Sequence, residues 1–217
     1  MESILEIQDL HKRFGRVKAV QGLSLTVEKG QVFGLLGPNG SGKTTTLGII
    51  LDVVTKDSGS YRWFGSPPSK SSRKKIGAIL ETPIFYPYLS ASDNLKIIAK
   101  IKGADKKNIP PVLEKVGLLA RKDDAFKTYS LGMKQRLAIA AALLGEPGVL
   151  ILDEPTNGLD PQGIVEIREL IIQIAQEGKT IVLASHLLDE VQRVCSHFAV
   201  LKNGKKMYAG RVDETLG

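Results

Sequence analysis

The chain has 217 residues, 42% of them hydrophobic, and a formal charge of +7, which suffices for the core of one sizeable domain or of a domain with an attached lobe. Its longest apolar run, Leu137 to Gly145, stops at Glu146, far short of the roughly 18 residues a membrane-spanning helix needs. A single cysteine, Cys195, excludes an internal disulfide and suits a reducing cytosol, and no ligand cluster accompanies Cys195 and His197, so a buried thiol at a helix end is expected there.

The N-terminus, Met1 to Asp9, carries three acids and no basic flank before an apolar run, which argues against a signal peptide. Basic residues collect at Arg73-Lys74-Lys75, Lys100 to Lys107 and Lys202 to Lys206. A solvated face is the default reading, with nucleic acid or anionic lipid as the alternatives.

In chain order, Ile4 to Leu10 alternates partly and Val20 to Val27 more cleanly, which predicts two antiparallel strands. Between them, Lys12-Arg13-Phe14-Gly15 puts an aromatic in a polar turn, where Phe14 either stacks on an adenine ring or packs in the core. Gln31 to Leu36 is an apolar run fit for a buried strand. It leads into Gly37-Pro38-Asn39-Gly40-Ser41-Gly42-Lys43-Thr44-Thr45, which matches the phosphate-loop pattern G-x-x-x-x-G-K-[ST]. Glycines at 40 and 42 let successive N–H groups wrap phosphate oxygens while the following helix, from Thr44 to Ile50, points its positive end at the same anion. Lys43 then reaches the β- and γ-phosphates, and the Thr44 hydroxyl completes a Mg²⁺ shell.

Further on, Asp57 to Ser60 reads as a turn, Tyr61 to Gly65 as a short strand and Ser66 to Lys75 as a loop. Ile76 to Leu80 reads as a buried strand ending at Glu81. From Ser90 to Leu144 the periodicity turns helical, with Leu95, Ile98 and Ile101 on one face, then Val112, Leu113 and Val116, then Leu137, Ala141 and Leu144. This predicts a helical lobe inserted in an α/β core. Its third helix starts at Ser130, either as an ordinary cap or as a second anion-binding end.

The core resumes with Val149-Leu150-Ile151-Leu152-Asp153-Glu154. A strand buried on both faces has no structural reason to end in paired carboxylates, so Asp153 is assigned to Mg²⁺ through water and Glu154 to the attacking water. Asp160-Pro161 launches a helix with Ile164, Ile167, Ile171 and Ile174 inward, ended by Gly178. Thr180 to Ala184 is another buried strand, and Ser185-His186 at its end places His186 where strand ends line a ligand crevice, as a candidate γ-phosphate contact.

Together these stretches resemble the ATP-binding cassette family, the nucleotide-binding subunits of ABC transporters, over essentially the full chain. GPNGSGKTT is similar to its Walker A, VLILDE to its Walker B, Gly158-Leu159-Asp160 to its D-loop and Ser185-His186 to its switch histidine. Tyr129-Ser130-Leu131-Gly132-Met133 resembles the LSGGQ signature, keeping Ser130 and Gly132 and departing at the other three places. The resemblance implies a P-loop NTPase fold: a RecA-like core with an antiparallel β subdomain (1–85 and 146–217) and an inserted helical subdomain (86–145). It also implies ATP hydrolysis with Mg²⁺ in a head-to-tail dimer, formed with a second copy or a paralogous ATPase subunit, where Ser130 and Gly132 of one chain complete the site of the other, and it makes the D-loop Asp160 an ATP-binding residue. A separate transmembrane permease, a peripheral place on the cytoplasmic face of a bacterial plasma membrane, and no nucleic-acid partner follow from the same resemblance.

One departure stands out. Glu81 occupies the join to the helical lobe where the family usually has Gln, and would act on the metal and water. Ionised, it adds a third negative charge beside Asp153 and Glu154, and like charges about 4 Å apart cost on the order of 4 kcal/mol at an effective dielectric of 20. Glu81 followed by Phe85-Tyr86-Pro87, and Ser130 to Arg136 as SLGMKQR, resemble the bacterial bacitracin and lantibiotic self-protection exporters. The rival reading is a cassette ATPase working on nucleic acid or the ribosome, but the long coiled coils and tandem cassettes of those relatives have no counterpart here. A phosphoryl-transferring kinase lacks any acceptor-site signal beyond the P-loop.

Overall fold

The computed structural model describes residues 2–80 and 85–216, so Glu81 lies outside the described residues. Two sheets carry the architecture. Strands β1 (Ser3–Phe14), β2 (Val17–Glu28) and β4 (Ser58–Trp63) form an antiparallel sheet in the order β2-β1-β4. The second sheet has the order β5-β6-β7-β3-β8-β9. It combines β3 (Val32–Leu36), β5 (Ile76–Ile79), β6 (Val149–Asp153), β7 (Thr180–Ser185) and β8 (His197–Lys202), all parallel, with β9 (Lys205–Arg211) antiparallel at one edge.

The apolar runs feed two cores because successive residues of a strand point to opposite faces. Leu150, Leu152, Ile181 and Leu183 pack toward the helical side, whereas Val149, Ile151, Val182 and Ala184 pack toward the antiparallel sheet. The helical side is covered by α3 (Ala91–Lys102), α4 (Ile109–Lys115), α5 (Leu131–Leu143), α6 (Pro161–Gln176) and α7 (Leu188–Val194). On the other side α1 (Lys43–Ile50) lies between the two sheets through Leu47, Ile49 and Ile50. The mixed α/β P-loop arrangement expected from the sequence is present.

Some local expectations are corrected. The broken alternation of Ile4 to Leu10 is a bulge: Asp9 sits at φ +47° and its N–H donates to Ser24 Oγ at 2.9 Å. Asp57 to Ser60 is not a free turn, because β4 begins at Ser58. Gly59, at φ +81°, lies against the bulge, where a Cβ would stand 2.1 Å from the Asp9 carbonyl oxygen. The stretch Ser66 to Lys75 contains a short helix, α2 (Lys70–Lys74), started by a reciprocal Ser69–Ser72 capping box. On α3 the buried stripe runs through Ala91, Leu95 and Ala99, so Ile101, six residues from Leu95, turns off it and is 79% exposed. Cys195 is a buried thiol at the end of α7, pushed up in pKa by that burial, as expected.

Candidate active site

The phosphate loop is the turn between β3 and α1, and backbone packing shapes it. A Cβ on Gly37 would stand 2.3 Å from the Leu201 carbonyl oxygen, and one on Gly42, at φ +102°, 2.4 Å from that of Ala19. The loop is pressed against β8 and β2, and Gly204 N–H donates to the Ser41 carbonyl at 3.0 Å from behind. Gly40, at φ +78°, has nothing within 4 Å of its would-be Cβ, and Pro38 and Asn39 are exposed with it, so the rim of the loop faces solvent. Gly42 offers no side-chain cap to α1 and the first turn holds no acid, which leaves the initial N–H groups and the positive helix end for an external anion. The Ser41 hydroxyl is buried without a hydrogen-bond partner, a further donor in the same loop. Thr44 is exposed and Thr45 half-buried at the start of the helix. This donor set fits the polyphosphate of a nucleotide.

Three charged or titratable side chains meet at the strand ends. Lys43, 4% exposed, donates to the carbonyls of Gly37 at 2.7 Å and Pro38 at 3.2 Å, and lies 3.4 Å from Glu154 Oε1. His186 lies with Nδ1 2.8 Å from Glu154 Oε2, and its backbone N–H donates to the same oxygen at 3.3 Å. Glu154 itself is held in the left-handed region at φ +47°, its N–H donating to the Ala184 carbonyl at 2.9 Å. For a residue with a Cβ such a conformation costs on the order of 1–2 kcal/mol. The turn it makes aims the carboxylate back at Lys43. Gly37 N–H donates to the Ser185 carbonyl at 3.2 Å, so the ends of β3, β7 and β6 are tied to one another.

Asp153, the last residue of β6, is buried at the same end of the strands. Among the described residues no group of three or more His, Cys, Asp or Glu is placed to hold a metal. A hydroxyl such as that of Thr44 and a carboxylate such as that of Asp153, with waters and phosphate oxygens, suit Mg²⁺, which keeps several waters and rarely sits in an all-protein cage. Phe14, at the end of β1, does not pack in the core: it is 50% exposed, with Lys12 Nζ 5.1 Å from the ring centroid. Asp57 braces that strand end by accepting from Arg13 N–H at 2.7 Å and Lys12 at 3.1 Å.

Ser130, Gly132 and Asp160 lie elsewhere, in a cleft of about 490 Å³ whose lining includes no residue of 37–45. Ser130 Oγ caps α5, accepting from Met133 N–H at 3.2 Å, and Asp160 Oδ1 caps α6, accepting from Gly163 N–H at 2.8 Å. A serine hydroxyl that accepts one bond still has its proton to donate. The cap does not use up Ser130. Tyr129, one of the departures from LSGGQ, is buried and its hydroxyl donates to the Arg121 carbonyl at 2.6 Å. Leu131, another, is half-exposed, and Gly158 lies against it, with 3.4 Å from a would-be Cβ to Leu131 Cδ2.

Sequence reasoning passed over Glu190. It lies in α7 with no exposure, accepting the Thr156 hydroxyl at 2.8 Å and the Ser185 hydroxyl in a shorter contact. The signal was available: an acid stood four residues before Val194, on the apolar face of a helix that directly follows Ser185-His186. The backbone support behind the loop, from Ala19, Leu201 and Gly204, left no such signal, because carbonyl positions are set by tertiary packing.

Comparison with known proteins places this geometry in context. Residues 20–157 match the family model described as ABC transporter. The lantibiotic transport ATP-binding protein SrtF of Streptococcus pyogenes is 44% identical over 202 residues, 93% of this chain and 88% of that protein. The bacitracin transport ATP-binding protein BcrA of Bacillus licheniformis is 46% identical over 210 residues, 94% of this chain and 69% of that protein. Among solved structures, cbiO1 from Clostridium perfringens, part of the ABC transporter complex cbiONQ, superposes with a TM-score of 0.89 at 30% identity, covering 100% of this chain and 91% of that one.

Proposed function

The chain belongs to the ABC transporter family, and from that premise we propose that it is the subunit that binds and hydrolyses ATP to drive a separate membrane permease. The observation that carries the reading is the convergence of Lys43, Glu154 and His186 at the mouth of an uncapped glycine loop. Lys43 and the loop N–H groups from Gly40 to Thr45 bind the β- and γ-phosphates. Phe14 stacks on adenine. Thr44 and Asp153, with Glu81, would hold Mg²⁺, whose chemistry is to neutralise charge on the phosphate oxygens.

Glu154 orients the attacking water and accepts its proton, while His186 supports the γ-phosphate. Glu154 lies 3.4 Å from Lys43 and 2.8 Å from His186. A γ-phosphate binding Lys43 and His186 would leave the carboxylate to water. Ser130, Gly132 and Asp160 lie in a cleft apart from the loop of their own chain, so they act on the nucleotide of a second copy or of a paralogous subunit facing it head to tail. ATP then joins two chains, and hydrolysis, by adding charge, parts them.

No helix of the described residues is long and apolar enough to cross a membrane, which fits a peripheral subunit working at the cytoplasmic face beneath its permease. The relatives named for lantibiotic and bacitracin transport support export of an antimicrobial peptide or another amphipathic compound as the cargo class. Purifying the tagged chain from detergent-solubilised native membranes tests the assignment. A stoichiometric multi-span protein in the mass spectrum is expected, and ribosomal proteins or nucleic acid instead would overturn it.

A further inference from the structure

Glu190 is fully buried, yet none of the steps above uses it. Its two oxygens accept the hydroxyls of Thr156 at 2.8 Å and of Ser185. Each partner adjoins a loop that carries a reacting group: Thr156 lies two residues after Glu154, and Ser185, the last residue of β7, immediately precedes His186. Ser185 is anchored further, its Oγ accepting from Leu187 N–H at 3.1 Å and its carbonyl from Gly37 N–H at 3.2 Å. One carboxylate therefore spans the loop of Glu154, the loop of His186 and, through Ser185, the first residue of the phosphate loop.

The packing of α7 gives no reason for an acid at this place. Val191, Val194 and Cys195 already make a buried apolar face, and a leucine at 190 would extend it without the desolvation of a carboxyl group. Burial pushes the Glu190 carboxyl up in pKa, while the Ser185 and Thr156 hydroxyls pull it back. A group kept at such a cost, between two loops rather than against solvent or substrate, fixes geometry.

We propose that Glu190 is a positioning residue for hydrolysis, clamping the loop of Glu154 to the loop of His186 through Thr156 and Ser185 and so setting the 2.8 Å contact between those two side chains. This rests on the reading of Glu154 and His186 as the hydrolytic pair.

The test uses the full chain, with single-turnover ATP hydrolysis, ATP affinity by calorimetry and thermal melting measured side by side. Thr156→Val keeps the shape of the side chain and removes one hydroxyl. It is expected to slow hydrolysis about ten- to a hundredfold, the scale of a small misplacement of reacting groups, with the ATP dissociation constant unchanged. Glu190→Leu is expected to do the same, and Glu190→Gln to recover most of the rate, because an amide oxygen still accepts the Thr156 hydroxyl. If Glu190→Leu fails to fold, Thr156→Val decides alone. Native hydrolysis in Thr156→Val, or rate and ATP affinity falling in parallel, overturns the proposal. A Glu154→Gln control separates the two levels: if it is inactive while Thr156→Val is native, only this inference fails, and if Glu154→Gln itself turns over at the native rate, the underlying reading fails.

Discussion

Substituting alanine at Gly40 and at Gly42 separates the two jobs that glycine does in the phosphate loop. Both residues have positive φ, +78° and +102°, so alanine at either position pays roughly 1–2 kcal/mol for the left-handed backbone. At Gly40 that is the whole effect, since nothing lies within 4 Å of the new methyl. At Gly42 the methyl would stand 2.4 Å from the Ala19 carbonyl oxygen, which belongs to the backbone of β2 and cannot rotate away. Relieving such a contact adds about 1–3 kcal/mol, the range for overpacked sites, or it moves the loop off β2 and misdirects its N–H groups. With about 2–4 °C per kcal/mol for a domain of this size, Gly40→Ala should melt about 2–8 °C below the native chain and Gly42→Ala lower still. Calorimetric titration with ATP should show binding retained in Gly40→Ala and lost in Gly42→Ala. Native ATP affinity in Gly42→Ala would refute the claim that contact with β2 shapes the anion site.

Ser130 caps α5 and is proposed to act on the nucleotide of a second copy, and Ser130→Asp separates the two roles. Aspartate caps a helix as well as serine does, so the melting temperature should hold, while a carboxylate facing the γ-phosphate should abolish ATP hydrolysis. A lower melting temperature with hydrolysis intact would mean that Ser130 is only a cap. Asp57 gives a pH prediction. Its carboxyl is held below the usual carboxylate range, first by the Arg13 N–H and then by Lys12. The folded pKa is depressed, so the stability Asp57 contributes is fully present above the unfolded value and is lost as pH falls through the folded one. Asp57→Asn should therefore destabilise the chain at neutral pH and flatten the acid side of the melting-temperature curve below about pH 4. An acid limb as steep as that of the native chain would contradict it.

The parts of the site that depend on local chemistry were legible in the sequence. The run from Gly37 to Thr45 specifies its own turn, and the acids closing Val149 to Leu152 announce a polar edge on a strand buried on both faces. Even the separation of Ser130 from the phosphate loop was expected, as a consequence of the family resemblance. What the sequence did not disclose depends on distant backbone. The bulge at Asp9 determines that Gly59 sits in a strand rather than a turn, and the carbonyls of Ala19 and Leu201 determine why residues 37 and 42 must lack side chains. Glu190 was missed for another reason: a buried acid is recognised by its partners, and Thr156 and Ser185 lie 34 and 5 residues away. Ile101 shows the limit of periodicity, since a spacing of three repeated twice drifts off a helical face.

The most direct test of the account is the oligomeric state and hydrolytic activity of Glu154→Gln with ATP, measured by light scattering coupled to size exclusion and by phosphate release. Removing the carboxylate's proton-accepting capacity while preserving its shape should abolish hydrolysis and trap an ATP-bound dimer, whereas the native chain parts after turnover. Hydrolysis at the native rate by Glu154→Gln would show that the carboxylate poised between Lys43 and His186 is not the group that activates water.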